Sequence, residues 1–167
     1  MVRMSALRNY PIVCNQRQIG LLQSLCMDTA QKRVTALNVS CGIRGKRMVL
    51  CKDIISLADS FILVKETGRY QRRLDTKPCS LIRDTSGLLA GKVTDYAICK
   101  STWHIAAVEM RIGYFPGESG MRLWIYDYKR SDENKGELTV PSSLGSELIM
   151  TEEENETCVC QPRKELQ

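Results

Sequence analysis

The sequence is poor in the residues on which most enzymes rely. It holds one histidine, His104, and two phenylalanines in 167 residues, and aromatic side chains make up 6%. A single histidine excludes mechanisms that need two, the common two-histidine zinc centres among them. No apolar run approaches the roughly 20 residues of a membrane-spanning helix, so no membrane span is expected. The residues before Pro11 lack an apolar core of signal-peptide length, which predicts a cytoplasmic protein. None of the eight cysteines stands in a Cys-x-x-Cys pair, and disulfides are not expected in that compartment. Cys14, Cys26, Cys41, Cys51, Cys79 and Cys99 lie in or beside expected strands and read as small buried hydrophobes. Cys158 and Cys160 read as a reducible surface pair without further ligands, so no metal and no cofactor is expected. A sustained 3.6-residue apolar stripe is also missing, which argues against helices.

Charge is present but unevenly placed. The chain carries 24 Lys and Arg against 19 Asp and Glu, a net charge of +5. Residues 151–167 hold five acids and two bases, a net −3, which leaves +8 on the body. Without apolar periodicity, residues 144–167 are expected to be a flexible acidic tail. The mildly basic body is compatible with nucleic acid without requiring it.

An internal repeat organises the rest. An offset of 71 residues sets Gly20 on Gly91 and runs without a gap to Gly42 on Gly113. Apolar positions follow it: Leu22 with Val93, Leu25 with Tyr96, Met27 with Ile98, Val34 with Ile105, Leu37 with Val108, Val39 with Met110. Beyond the loop at Tyr114 to Gly117 the offset becomes 74, with Val49 over Leu123, Cys51 over Ile125 and Asp53 over Asp127. Two units follow, at 5–66 and 79–143, joined by a polar linker at 67–78. Short runs at regular spacing, separated by turns, predict strands at 10–14, 21–27, 33–39, 46–51, 54–57 and 61–64. In the second unit they fall at 80–84, 92–99, 104–112, 123–128 and 138–140. The fold class expected is all-β, two small closed barrels in tandem, since closure removes exposed strand edges.

The order of these elements carries a resemblance. Pro11-Ile12-Val13 through Ile19-Gly20, then Leu25-x-Met27-Asp28 and Arg33-Val34-x-Ala36-Leu37-x-Val39, resembles the PRC-barrel family. So do Arg47 to Leu50, Asp53-Ile54 and Phe61-Ile62-Leu63-Val64. The second unit matches at Asp84, Gly87, Gly91, Val93, Asp95, Ile105, Ala107, Val108 and Asp127; it departs at Cys99, where the first has Asp28, and in degenerate closing strands. A tandem chain of this kind is similar to YrrD-like proteins of spore-forming bacteria, in the superfamily of the photosynthetic reaction-centre H subunit's cytoplasmic domain. The resemblance implies a bacterial, non-enzymatic interaction or adaptor module related to sporulation or cell division, binding another protein through a barrel surface. A homodimer is compatible with it. The alternative is an RNA- or ribosome-associated maturation factor that uses a basic surface.

Candidate contact residues fall in three groups. Arg44, Lys46 and Arg47 occupy one hairpin, and Arg72 and Arg73 accompany Tyr70 in the linker. Basic residues interleaved with an aromatic suit phosphate and base contacts, or simply solvate a strand edge. Tyr114 and Phe115 in the long loop, with Trp124, are aromatic anchors for a protein partner or caps on an open barrel end. No catalytic residue stands out. His104 has no local nucleophile, and Gly117-Glu118-Ser119-Gly120 lacks the glycine spacing of a nucleophile elbow.

Overall fold

The computed structural model describes residues 1–70, 79–112, 121–131, 134 and 136–141. The expected positions Arg72, Arg73, Tyr114, Phe115, Cys158 and Cys160, and the acidic tail, lie outside these residues. Fourteen strands and three short 3-10 turns make up the regular structure. They are β1 (Val2–Arg3), β2 (Pro11–Cys14), β3 (Arg17–Asp28), β4 (Arg33–Ser40), β5 (Lys46–Leu50), β6 (Ile54–Leu57), β7 (Ile62–Val64) and β8 (Arg69–Tyr70). The second half contributes β9 (Leu81–Asp84), β10 (Leu89–Ile98), β11 (Ile105–Arg111), β12 (Arg122–Ile125), β13 (Lys129–Arg130) and β14 (Glu137–Val140). Alternation of side chains drives them. In β2 Ile12 and Cys14 point inward and Pro11 and Val13 are half-buried, and β7 buries Ile62 and Val64 around a half-buried Leu63. Pro11 is tolerated in a central strand because it is the first residue, where a missing N–H costs least.

The strands form two seven-stranded sheets of the same plan. One runs β6-β7-β2-β3-β4-β5-β8; the other runs β13-β14-β9-β10-β11-β12, with β1 added to β10. Duplication extends to register. Leu22 pairs with Val39, Leu25 with Leu37 and Met27 with Val34, as Val93 pairs with Met110, Tyr96 with Val108 and Ile98 with Ile105. Both hairpins carry bulges at matching points, after Leu22 and Cys26 and after Val93 and Ala97. Gly20 and Gly91 match as well. A Cβ on Gly20 would strike the Ser40 carbonyl, and one on Gly91 would lie 2.6 Å from the Arg111 carbonyl.

Two expectations for the second half are corrected. Past the long loop the offset is 76, not 74, because Val49 sits opposite Leu37 as Ile125 sits opposite Val108. The closing strands of the second half are not degenerate in pairing: β14 lies parallel to β9 as β7 lies parallel to β2. Glu137 extends that strand, its carboxylate held below the usual range by the Arg83 guanidinium hydrogen bond at 2.9 Å.

The sheets are curled half-barrels and not closed barrels. In each, three residues connect strands that lie five places apart in the pairing order, β5 to β6 and β12 to β13. Four residue steps reach about 14 Å, whereas five flat interstrand spacings would separate those strands by about 24 Å. The sheet must curl. Hydrogen bonding stays open because the outer edge of β5 is taken by β8, and because β13 is only two residues long.

The two halves meet about a local pseudo-two-fold axis. The offset of 71 makes Lys32 the counterpart of Trp103, Arg33 of His104 and Val34 of Ile105. Arg33 and His104 form an antiparallel bridge with each other. Val34 N–H donates to the Trp103 carbonyl at 2.9 Å, and Ile105 N–H donates to the Lys32 carbonyl at 2.8 Å. Exchanging the halves exchanges these two bonds, which is the self-complementarity of a two-fold dimer built into one chain. Lys32 and Trp103 even share a left-handed backbone, at φ 50° and 57°. One hydrophobic cluster runs through both sheets, from Leu25 and Val34 to Tyr96 and Ile105.

Candidate functional site: a basic cleft between the halves

Beside the pseudo-axis lies a cleft of about 860 Å³. Three pieces of chain enclose it. The start of β4 supplies Arg33 and Thr35, the link from β5 into β6 supplies Cys51, Lys52, Ile54, Ile55 and Leu57, and the β10–β11 turn supplies Lys100, Ser101 and Thr102 over Trp103. The β3–β4 turn is set by Asp28, whose carboxylate accepts from the N–H groups of Ala30 and Gln31 at 3.0 and 3.1 Å. On the other side Trp103 N–H donates to the Cys99 carbonyl at 2.9 Å and fixes the second turn. The link curls as a 3-10 turn at Cys51–Asp53, which holds Lys52 outward.

The cleft combines a cationic rim with an aliphatic floor. Arg33, Lys52 and Lys100 are exposed, and no carboxylate is among the lining residues. Lys100 reaches Asp59 at 3.8 Å, but both side chains lie open to solvent, so that pair costs little to exchange. Among the described residues Arg33 and Lys52 meet no carboxylate at ion-pair distance. Ile55 is 54% exposed, an unusual exposure for isoleucine, while Ile54 and Leu57 are half-buried. Burial pushes the Cys51 thiol up to about 11, with Arg33 pulling weakly the other way. At neutral pH it is a thiol and a poor nucleophile.

The residues singled out from sequence lie elsewhere. Arg47 and Tyr70 pair across β5 and β8, and Tyr70 is 62% exposed. The Arg47 guanidinium lies 4.3 Å from the Tyr70 ring centroid and donates to the Tyr70 hydroxyl at 2.9 Å. Arg47 of the hairpin and Tyr70 of the linker thus meet on one sheet edge, although separated in the chain. Lys46 and Arg44 are exposed beside them, Arg44 in the turn closed by Gly45 at φ 85°. Trp124 is half-buried on β12, with the Arg3 guanidinium 5.2 Å from its ring. His104 is exposed at the bridge. Of the cysteines, Cys14, Cys26, Cys79 and Cys99 are buried and Cys41 and Cys51 half-buried.

Arg33, Lys52 and Lys100 carry no local sequence signal. Arg33 opens β4, Lys52 lies in the turn after β5 of the same half, and the contact between the halves adds Lys100 from the β10–β11 turn. The repeat makes Arg33 and His104 equivalent positions, but their contact appears only in the bridge between the halves. Among the described residues no cluster of His, Cys, Asp and Glu could hold a metal ion. No helix among them is long and apolar enough to cross a membrane. No protein-family model matches the chain, and no curated protein is significantly similar to it.

Proposed function

We propose that this chain is a non-catalytic protein-docking module, of the tandem PRC-barrel type, whose docking surface is the cleft between its halves and whose partner presents an acidic segment. The observation that carries it is the lining: three exposed cations and no carboxylate over an exposed aliphatic floor. Cations on a rim steer and orient an acidic ligand, and the aliphatic floor adds burial that a purely ionic contact lacks. Nucleic acid fits the same surface less well. Single strands bind by stacking bases on exposed aromatics, and the one aromatic in this lining, Trp103, is buried at 7% exposure. The exposed tyrosine with cations around it, Tyr70, supports the RNA-associated alternative at a different face.

The test is fluorescence anisotropy with the whole chain and two probes, a labelled peptide of alternating Glu and Leu and a labelled single-stranded RNA. The peptide is expected to bind, and to lose at least about tenfold in affinity in the charge-reversed variant R33E/K52E/K100E. Equal binding by that variant, or no binding of the peptide at all, overturns the proposal. Binding of RNA alone, weakened by R47E/Y70A, transfers the function to the β5–β8 face.

A further inference from the structure

We infer that the cleft is also the seat of this chain's own acidic run, residues 152–156, which competes there with the partner. The inference rests on the docking function proposed above. Three facts carry it. The first is charge: Glu152, Glu153, Glu154 and Glu156 sit within five residues, and the body of the chain is basic by +8 once the tail is set apart. The cleft gathers three of those cations without a carboxylate in its lining.

The second is reach. Val140 ends β14 level with Asp84, beside the start of β10. The cleft lies past the other end of β10, at the turn bearing Lys100. Some 12 strand residues at about 3.3 Å place the two ends roughly 40 Å apart at most, before the bulges and curl of β10 shorten the path. Twelve residues run from Val140 to Glu152, and extended chain covers about 40 Å in that length. By the start of the acidic run the connection is therefore long enough to reach the cleft.

The third is tethering. A segment on a connection of this length meets its site at an effective concentration of the order of millimolar, so even weak ionic contacts fill the cleft part of the time. The tail then acts as a selectivity filter. Weak or weakly charged partners fail to displace it, while a segment that adds aliphatic contacts to Ile54, Ile55 and Leu57 gains what the polar run 152–156 lacks.

Zero-length carbodiimide coupling on the whole chain tests this directly. Coupling joins a lysine amine to a glutamate in contact with it, and peptide mass spectrometry reads the pairs. Links from Glu152–Glu156 to Lys52 and Lys100 are expected, suppressed in high salt and absent from Lys92 and Lys46. Links spread evenly over the lysines, or none to the cleft, overturn the inference. In parallel, the variant E152Q/E153Q/E154Q/E156Q is expected to bind the Glu-Leu probe roughly three- to tenfold more tightly than the unaltered chain. Unchanged affinity overturns the tail's role and leaves the docking proposal standing. Coupling to the cleft lysines without probe binding by either chain does the reverse.

Discussion

The two halves share a pairing plan, yet only one side of the pseudo-axis is open. Between Val49 and Leu57 the first half uses eight residue steps, whereas the matching span from Ile125 to Arg130 uses five. The longer span stands clear of the facing turn and leaves the cleft. The shorter one drives Tyr128 inward to 1% exposure, where its hydroxyl donates to the Ile105 carbonyl at 3.3 Å. Lys32, from the facing turn, caps it, with its ammonium 4.2 Å from the ring centroid. A symmetric frame thus gains this site through three more residue steps between matched positions, and not through any new element.

This contrast is broken most easily at the plug. Tyr128→Ala is expected to cost about 3–5 kcal/mol in chemical denaturation, the range for a buried aromatic that leaves a cavity. Lys52→Ala on the open side should stay within about 0.5 kcal/mol, as surface substitutions do. Similar losses at both positions would mean that the two sides are not filled and open as described. The matching strand glycines Gly20 and Gly91 should behave the opposite way and agree. Gly20→Ala and Gly91→Ala each press a methyl group onto a neighbouring strand's carbonyl, and each is expected to cost about 2–3 kcal/mol. A difference above about 1 kcal/mol between them would argue against equivalence of the hairpins.

The polar pair inside each central hairpin shows how the halves diverged. In the first, the Asn38 amide donates to the Ser24 hydroxyl at 2.9 Å and its oxygen accepts from the Cys26 thiol at 3.3 Å, so the hairpin satisfies itself. In the second the matching residues are Asp95 and Glu109, both 4% exposed. Two buried carboxylates need donors; the Thr94 hydroxyl donates to Glu109 at 2.7 Å and the Tyr96 N–H to Asp95 at 2.8 Å, and the N-terminal segment brings the rest. Ser5 donates its N–H at 3.1 Å and its hydroxyl to Asp95, and Arg3 lies 3.7 Å from Glu109. The pair holds β1 across to the second sheet. Asp95→Ala is expected to cost about 1–2 kcal/mol by leaving these donors unpaired. It should also raise hydrogen exchange at Met4, whose N–H donates to the Tyr96 carbonyl at 2.8 Å. Unchanged exchange at Met4 would show that the carboxylates do not hold the strand.

Much of the fold was legible because strands announce themselves by alternation and turns by composition. The offset of 71 reproduced the register of both central hairpins residue by residue, since buried positions on paired strands constrain each other. It failed after the long loop. There an insertion and a shortened link act together, and a run such as Leu123 to Tyr128 fits two offsets equally well until its partner strand is known. Closure could not be read at all, because it depends on whether β8 or β6 takes the edge of β5, and both are short. The site was hidden for a further reason. Clustered residues such as Arg44, Lys46 and Arg47 draw attention in sequence, whereas Arg33, Lys52 and Lys100 come from the start of a strand and two separate turns that only tertiary packing assembles. Tyr128, predicted to end a strand, is instead the plug.

The smallest contrast is in the first turn of each half. Asn15 and Gln16 turn the chain in two residues, both left-handed at φ 48° and 62°. Asparagine tolerates this conformation, but glutamine has no local hydrogen bond to offset the crowding of its Cβ. Gln16→Gly is expected to stabilise by about 0.5–1 kcal/mol, equally at all pH values. The second half uses a wider turn built on a carboxylate. Asp84 accepts from the Ser86 hydroxyl at 2.6 Å and from the N–H groups of Ser86 and Leu88 at 2.9 Å each, and Gly87 takes the left-handed place at φ 85°. The Ser86 hydroxyl bond, aided by those N–H groups against partial desolvation, holds the Asp84 carboxyl below its usual range. A folded-state pKa below the unfolded one gives stability that is complete above the unfolded value and lost as pH falls through the folded value. Asp84→Ala should therefore lower the melting temperature near pH 7, with the gap to the unaltered chain shrinking toward pH 3. A gap that stays constant with pH would assign the turn's stability to Gly87 and the backbone alone.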